Sequence, residues 1–576
     1  MTKMGNSSIH TLLKTFGLLS LPLAGVLMIP PMAEAQKSQP KKPNIIVILA
    51  DDMGFSDIGC FGSEIKTPNI DRLAANGVRF TQFYNTARCS PTRASLLTGL
   101  YPHQAGMGHL ASSNFKEKGY RDDLSKNAVT LAEVFKTNGY STYMTGKWHL
   151  SENIDPKGDK SNWPCQRGFD RHFGTINGSG SFYDPGTLVS NNTFIAPGKD
   201  FYYTDAISDT TVKFIKQHPA GKPFFCYVAY TAAHWPLHAP AKEVNKYKGV
   251  YDIGWDKIRE QRFNKLQALG IIDRRCVLTQ RGVDIPEWND ETMKAWQVRR
   301  MEVYAAMIDI MDQGIGRIIT ALEQKGILGN TIIFYMHDNG GCAEPQGTLK
   351  KEIPLTAEQR ILRPFPYDSV LYGRRPEYSR DGRFVRSGRG VMPGDADTWV
   401  AYGEEWANVS NTPFRLYKHW VHEGGIAAPL IVHWPAGIKV KNQLRDQPSH
   451  LIDIMATCLD IAGINYPMQF NGNEIQPFEG KSLVPAFTNQ TISRESIFWE
   501  HEGNRAIRSG KWKLVSRTQE VKKFTAADEN AWELYDIEND RSETINLTSK
   551  FPEKVKELSL LWEKEAQRTQ AKPWPW

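Results

Sequence analysis

Residues 43–52 read PNIIVILADD, a continuous apolar and β-branched run from Pro43 to Ala50 closed by the paired carboxylates Asp51 and Asp52. A short apolar run without polar alternation reads as a strand buried on both faces, which is the habit of parallel sheets. Its carboxyl end is polar, and in open α/β sheets that edge is where sites form.

Working outward from this strand, residues Thr67 to Asn76 read as a helix, with Pro68 near its start and Gly77 just past its end. That is the usual asymmetry of Pro and Gly at helix termini. Cys89 to Leu97 looks like a turn entering a helix, Thr130 to Thr137 like a helix stopped at Asn138-Gly139, and Ser141 to Thr145 like a short strand. Two further apolar runs, PFFCYVAY (Pro223 to Tyr230) and TIIFYM (Thr331 to Met336), also end in polar residues: His234 after the first, His337-Asp338-Asn339 after the second. Met293 to Gln324 has helical spacing, and Ile426 to Trp434 is one more strand candidate. The alternation implies an α/β fold: a large mixed, mostly parallel sheet flanked by helices.

Two stretches depart from this pattern. Glu344 to Glu405 is rich in Arg, Pro, Gly and Tyr without a sustained period, and reads either as long loops at a site mouth or as a linker without a role. After a helix at Leu451 to Ala462, the segments Ser496 to Glu502, Ala506 to Val515 and Glu533 to Asp536 alternate as a small antiparallel sheet, followed by a helix near Pro552 to Ala566. The expected organisation is a signal peptide over residues 1–35, a large N-terminal domain over 36–450 and a smaller α+β domain over 451–576.

Composition agrees with a soluble globular protein. The chain has 576 residues, 40% of them hydrophobic and 23% charged, enough to bury a sizeable core and too little bias for disorder or a multispan membrane protein. A net charge of +7 without blocks of Lys or Arg gives no reason to expect nucleic acid as a partner. Lys3 and Lys14 precede an apolar run from Phe16 to Ile29 and the small-x-small triplet Ala33-Glu34-Ala35. This reads as a cleaved signal with a mature start at Gln36, hence a periplasmic or secreted protein without stable membrane insertion. Seven cysteines are too sparse for a disulfide scaffold, and the odd count leaves one thiol over.

Asp51, Asp52, Asp338 and Asn339 together offer three carboxylates and one amide oxygen from two strand ends, a hard oxygen set suited to Ca²⁺ or Mg²⁺. Cys89 opens the segment Cys89-Ser90-Pro91-Thr92-Arg93. Residue chemistry leaves two readings: a thiolate activated by a helix N-terminus and by Arg93, or a buried inert cysteine.

That segment, with Ala94-Ser95-Leu96-Leu97-Thr98-Gly99 after it, resembles the signature of the formylglycine-dependent, type I sulfatases, bacterial arylsulfatases in particular. Gly139-Tyr140-Ser141-Thr142-Tyr143-Met144-Thr145-Gly146-Lys147-Trp148-His149 resembles the second signature of the family. His234 in TAAHWPLHAP, Asp338-Asn339-Gly340 and Lys418 in NTPFRLYKHWVHEGG follow in the family's order, while Arg88 and Thr145 stand where many members carry other residues. The resemblance implies an alkaline-phosphatase-like fold. It implies that a formylglycine-generating or anaerobic sulfatase-maturating enzyme oxidises Cys89 to 3-oxoalanine, and that Asp51, Asp52, Asp338, Asn339 and residue 89 hold one Ca²⁺ rather than Mg²⁺. One hydroxyl of the aldehyde hydrate would attack sulfur, and the other would release sulfate by elimination.

The same resemblance assigns supporting roles. Arg93 and Lys147 would hold the hydrate, while Lys147, His234 and Lys418 would surround the sulfate with donors. His149 would be the base for elimination, Asp338 would activate the attacking hydroxyl, and His234 with Lys418 would protonate the leaving oxygen. The expected substrate is an aryl or carbohydrate sulfate ester. The alternatives are a phosphatase or phosphonate monoester hydrolase of the same superfamily and a non-catalytic sulfoglycan-binding protein. Arg363, Tyr367, Tyr372, Arg374, Arg375 and Tyr378 are candidate pocket residues in the long loop.

Overall fold

A computed structural model describes residues 42–111, 113, 115–518 and 531–575; the signal-peptide reading and the Gln36 start lie outside them. Residues Lys42–Trp576 form one compact unit. The apolar run after Pro43 is strand β1 (Asn44–Ala50), buried along its whole length. Successive side chains of a strand point to opposite faces, so Ile46, Ile48 and Ala50 enter one apolar core while Ile45, Val47 and Leu49 enter another. Both faces of the sheet are covered, and this is why β1 has no polar alternation.

The other main-sheet strands are β2 (Val78–Tyr84), β3 (Ser141–Gly146), β4 (Arg171–Thr175), β5 (Leu188–Ser190), β6 (Thr193–Phe194), β7 (Phe224–Ala229), β8 (Thr331–His337), β9 (Ala427–His433), β10 (Gln443–Arg445) and β11 (Ser449–His450). Their order is β10-β2-β9-β8-β1-β7-β3-β4-β5-β6, with β11 beside β2. β1 pairs parallel with both β7 and β8, and β7 parallel with β3, so all four carboxyl ends finish at one edge. β9 runs antiparallel to β8 and β2. Its amino end therefore lies at the same edge as the carboxyl ends of β1, β3, β7 and β8.

The expected helices are present at Pro68–Ala75, Cys89–Thr98, Leu131–Thr137, Lys294–Gln324, Asp453–Ala462 and Pro552–Arg568. Thr130 caps the third with a reciprocal box: its side chain accepts from Glu133 N, and Glu133 accepts from Thr130 N, satisfying two otherwise orphan donors. Strand β2 and the helices Tyr203–Gln217, Gly254–Ala268 and Gly403–Ser410 were not anticipated. The helix Gly254–Ala268 carries charged residues around most of its surface, so the apolar period was weak.

After a small hairpin, β12 (Gln469–Phe470) and β13 (Asn473–Glu474), the C-terminal antiparallel sheet has the order β14 (Ile497–His501), β15 (Asn504–Ser509), β16 (Trp512–Ser516), β17 (Trp532–Asp536). Phe498, Ile507, Leu514 and Leu534 pack with Leu558 and Trp562 of the last helix in one core, while Ile497, Trp499 and Val515 join the other. The small sheet is thus built into both cores. The segment between β8 and the helix Gly403–Ser410 holds only isolated bridges such as Tyr378–Phe384 and Arg386–Thr398, in line with the long-loop reading.

Candidate active site

Every residue singled out in the sequence, except the loop candidates, arrives at the shared sheet edge. Asp51 and Asp52 follow β1, Asp338 and Asn339 follow β8, Lys147 and His149 follow β3, and His234 lies beyond β7. Lys418 lies in the loop before β9, which the antiparallel course of that strand returns to this edge. Gly146 (φ +102°) lets the turn after β3 approach closely: a Cβ there would stand 1.8 Å from the Ala229 carbonyl oxygen. Asp52 and His149, both at φ +57°, hold the left-handed backbone that non-glycine residues avoid, a form of strain that concentrates at functional sites.

Cys89 is the first residue of its helix, and its Sγ lies 3.5 Å from His149 Nδ1. Thr92 Oγ1, one turn on, donates to Asp338 O at 2.6 Å, fixing the helix start on the end of β8. Arg93 is fully buried. Its Nη2 lies 2.9 Å from Asp338 Oδ2 and 3.3 Å from Asp51 Oδ2, while Nη1 donates to Lys147 O at 3.1 Å.

The remaining charges interlock. Lys147 Nζ donates to Asp51 Oδ2 at 2.6 Å. Lys418 Nζ lies 2.8 Å from Asp52 Oδ1, and His234 Nε2 lies 3.4 Å from Asp52 Oδ2. Asn339 Nδ2 donates to Asp52 Oδ1 at 2.7 Å, and Asp52 N donates to Asp338 Oδ1 at 3.1 Å. Three acidic side chains thus face three basic ones in a buried site, where unpaired charge would be prohibitively costly.

Protonation follows from this placement. Burial, with the neighbouring Asp338, pushes the Asp51 carboxyl up to about 6 despite Lys147 and Arg93. Burial also acts on Asp52, but the Lys418 ammonium and His234 override it and hold that carboxyl well below the usual range. Burial, then Lys147 and Arg93, holds His149 well below the ordinary imidazole range. His234 is lowered to about 4, again chiefly by burial.

These groups can hold a hard cation. Asp51 Oδ1 and Asn339 Oδ1 are buried oxygens without a hydrogen-bond partner, and ligand atoms of Asp51, Asp52 and His234 lie within 4.8 Å of one another. Orphaned buried acceptors are rare unless something else satisfies them.

Of the loop candidates, Arg374 reaches the surroundings of the site, its guanidinium 5.2 Å from the Trp235 ring centroid. Arg375 lies over Trp399, Arg363 pairs with Glu358 and lies over Tyr378, and Tyr367 and Tyr372 are exposed. Sequence reasoning missed Glu344, which accepts from Trp235 Nε1 at 3.0 Å and pairs with Arg88 at 2.6 Å. It also missed Tyr227, whose hydroxyl lies 3.4 Å from Arg93 Nη1. Tyr227 sits inside an apolar strand that gave no sign of it. None of the seven cysteines is disulfide-bonded.

The family model described as Sulfatase matches residues 43–464, which contain all ten candidate residues. The chain belongs to the sulfatase family. A second model, described as N-sulphoglucosamine sulphohydrolase, C-terminal, matches residues 414–571. The sulfatase is 33% identical to an uncharacterized sulfatase of Schizosaccharomyces pombe, over 92% of this chain and 94% of that one. It is 34% identical to an arylsulfatase of Klebsiella aerogenes, over 78% and 93%. Among solved structures, Ps i-CgsB in complex with k-i-k-neocarrahexaose has a TM-score of 0.61 at 23% identity, covering 92% of this chain and 94% of that one, a likeness of fold. Membership makes this sulfatase a sulfuric ester hydrolase. Among the described residues no helix is long and apolar enough to cross a membrane.

Proposed function

We propose that this sulfatase cleaves sulfate monoesters of phenols or sugars to the alcohol and inorganic sulfate, with Cys89 matured to formylglycine and one Ca²⁺ at Asp51, Asp52, Asp338, Asn339 and residue 89. The observation that carries this reading is the position of Cys89, at a helix start, 3.5 Å from His149 Nδ1 and one turn from an arginine tied to Asp51 and Asp338. The similar proteins include an arylsulfatase and a structure in complex with a neocarrahexaose, which supports keeping both a phenol and a sugar in the reading. Export after removal of residues 1–35 remains part of the proposal.

When present, the hydrated aldehyde supplies one hydroxyl to displace the alcohol from sulfur and a second through which sulfate leaves without attack of water on sulfur; Ca²⁺ supplies positive charge at the sulfate oxygens. The chain's own groups do the rest. Arg93 and Lys147, both buried to completion, hold residue 89 and the acidic cluster in fixed relation, which is the pre-organisation that charge development requires. His149, uncharged and facing position 89, is placed to take a proton from it. His234 Nδ1 lies 2.6 Å from Trp235 O, an acceptor, so Nδ1 carries the proton of the neutral ring and Nε2 does not. Lys418, whose ammonium is kept well above its ordinary value by Asp52 against the effect of burial, is therefore the cation at hand for the leaving oxygen, with His234 acting there only once protonated.

The test is the mass of the peptide containing Cys89 in protein made with a formylglycine-generating enzyme, together with sulfate release from an aryl sulfate with and without chelator. Aldehyde with chelator-sensitive release is the expected result. A persistent thiol under verified maturation conditions refutes the mechanism.

A further inference from the structure

Strands β14 and β15 are joined by the two-residue turn Glu502-Gly503, with His501 paired to Asn504 across its base. Both turn residues have positive φ, +50° at Glu502 and +79° at Gly503, as a tight hairpin of this length requires. Asn or Asp is the usual first residue of such a turn, and a longer side chain is strained there. Glu502 is nevertheless held in it, with its carboxylate among three imidazoles. Oε1 lies 2.6 Å from His109 Nε2 and 3.5 Å from His501 Nε2, and Oε2 lies 3.0 Å from His419 Nδ1. The reaction proposed above uses none of these four side chains.

Hydrogen bonding sorts them into two roles. Asn504 Oδ1 accepts from Thr518 N at 3.0 Å, which orients its amide and turns Nδ2 toward His419 Nε2 at 3.3 Å. His419 Nε2 is thus an acceptor, and Nδ1 carries the proton that it donates to Glu502 Oε2. On the other side of the carboxylate, Ser113 Oγ donates to Leu110 O at 2.9 Å and so accepts from His109 Nδ1. A neutral His109 then turns its Nε2 lone pair on Glu502 Oε1, and at 2.6 Å the two repel unless a positive species joins them. His501 is fully buried, and neither of its ring nitrogens has a hydrogen-bond partner among the described residues, yet Nε2 approaches the same carboxylate oxygen. A buried polar group without a partner is rare unless something else satisfies it.

The donors select the ion. Two imidazole nitrogens with one carboxylate oxygen are a donor set that zinc favours, unlike the all-oxygen set of Asp51, Asp52, Asp338 and Asn339, which suits calcium. His419 on the second carboxylate oxygen, and Ser113 on His109 Nδ1, stand where outer groups orient metal ligands. The side chains of Glu502 and His109 are 13% and 16% exposed and that of His501 is 0% exposed, so an ion would enter from solvent and rest on His501.

We propose that His109 Nε2, His501 Nε2 and Glu502 Oε1 form a second metal site that takes one Zn²⁺, separate from the calcium centre, with His419 as a positioning residue. The ligands come from the loop after the helix Cys89–Thr98 and from the β14–β15 hairpin. His419 adds the loop before β9, and its N–H donates to Ala87 O at 2.9 Å, two residues before Cys89. Zinc there ties together three segments distant in the chain and braces the approach to position 89.

The experiment titrates untagged, calcium-saturated full-length protein with zinc, by calorimetry and by thermal melting, beside His109→Ala, His501→Ala and His419→Gln variants whose folding is checked by melting without zinc. The wild type should bind one equivalent, and its melting temperature should rise by about 2–3 °C at zinc a hundredfold above Kd. His109→Ala and His501→Ala should lose that shift while keeping the stabilisation by calcium, and His419→Gln should weaken zinc binding roughly ten- to a hundredfold. If one alanine variant fails to fold, the other carries the test. A wild type that binds no zinc overturns the assignment: the cluster is then held by protons alone. Zinc displaced by excess calcium, or bound with wild-type affinity in either folded alanine variant, belongs to the acidic centre and overturns it equally.

Discussion

Replacing Arg93 by Met keeps most of the buried stem and removes one charge from the centre. At an effective dielectric near 20, contacts of the length seen here carry about 5–6 kcal/mol each of gross attraction, offset by desolvation of the guanidinium and both carboxylates. Truncating one member of such a buried network costs about 3–5 kcal/mol. Protonation of Asp51, already raised to about 6, sets an upper limit on that cost. With about 2 cal/mol/K of unfolding entropy per residue, the unit Lys42–Trp576 loses roughly 1 °C per kcal/mol, so the melting temperature should fall by about 3–5 °C in chelator. Calcium should then stabilise the variant more than the wild type, because the lost guanidinium no longer opposes a cation beside Asp51 and Asp338. The assay is thermal melting of both proteins across a calcium titration. Equal calcium-induced shifts in the two proteins would show that Arg93 and the cation do not share those carboxylates, and the site assignment would be wrong.

Cys89→Ser should allow at most one turnover and then stall, since a sulfate ester on a plain alcohol lacks the elimination route; sustained steady-state release by a variant whose serine is verified unmodified by mass would refute this. Because the Asp51 carboxyl is raised to about 6, calcium affinity should weaken as pH falls through 6, by up to about tenfold per unit; calorimetry at pH 5 and pH 7.5 reads this. In calcium-free protein the sign for stability is the reverse, since a raised carboxyl binds its proton more tightly folded than unfolded: this group's contribution is present at low pH and is lost as pH rises from about 4 to about 6, which chemical denaturation across that window detects. Thr130→Ala removes the helix cap and should cost about 1 kcal/mol of stability with kcat unchanged, a change in kcat being the outcome that contradicts a purely structural role.

The sequence was most legible where one physical signal dominated. Apolar strands ending in acidic or basic residues announced β1, β7 and β8, and the Pro and Gly at its ends marked the helix Pro68–Ala75. Motif order located Cys89, Arg93 and Lys147. What escaped were groups without a local signal: Tyr227 within a buried strand, and Glu344 and Glu502, whose importance lies in partners far away in the chain.

By itself the sequence determined the layered α/β character, the hard oxygen set at two strand ends and the family to which the chain belongs. Only the tertiary structure decided that Lys418 joins Asp52. That pairing depends on β9 running antiparallel between β8 and β2, which brings the loop before β9 to the edge where the parallel strands end. Apolar run and turn residues read the same whichever way a strand is laid into a sheet. Strand direction is set by which neighbours its backbone meets, a non-local choice that no stretch of residues 427–433 encodes alone.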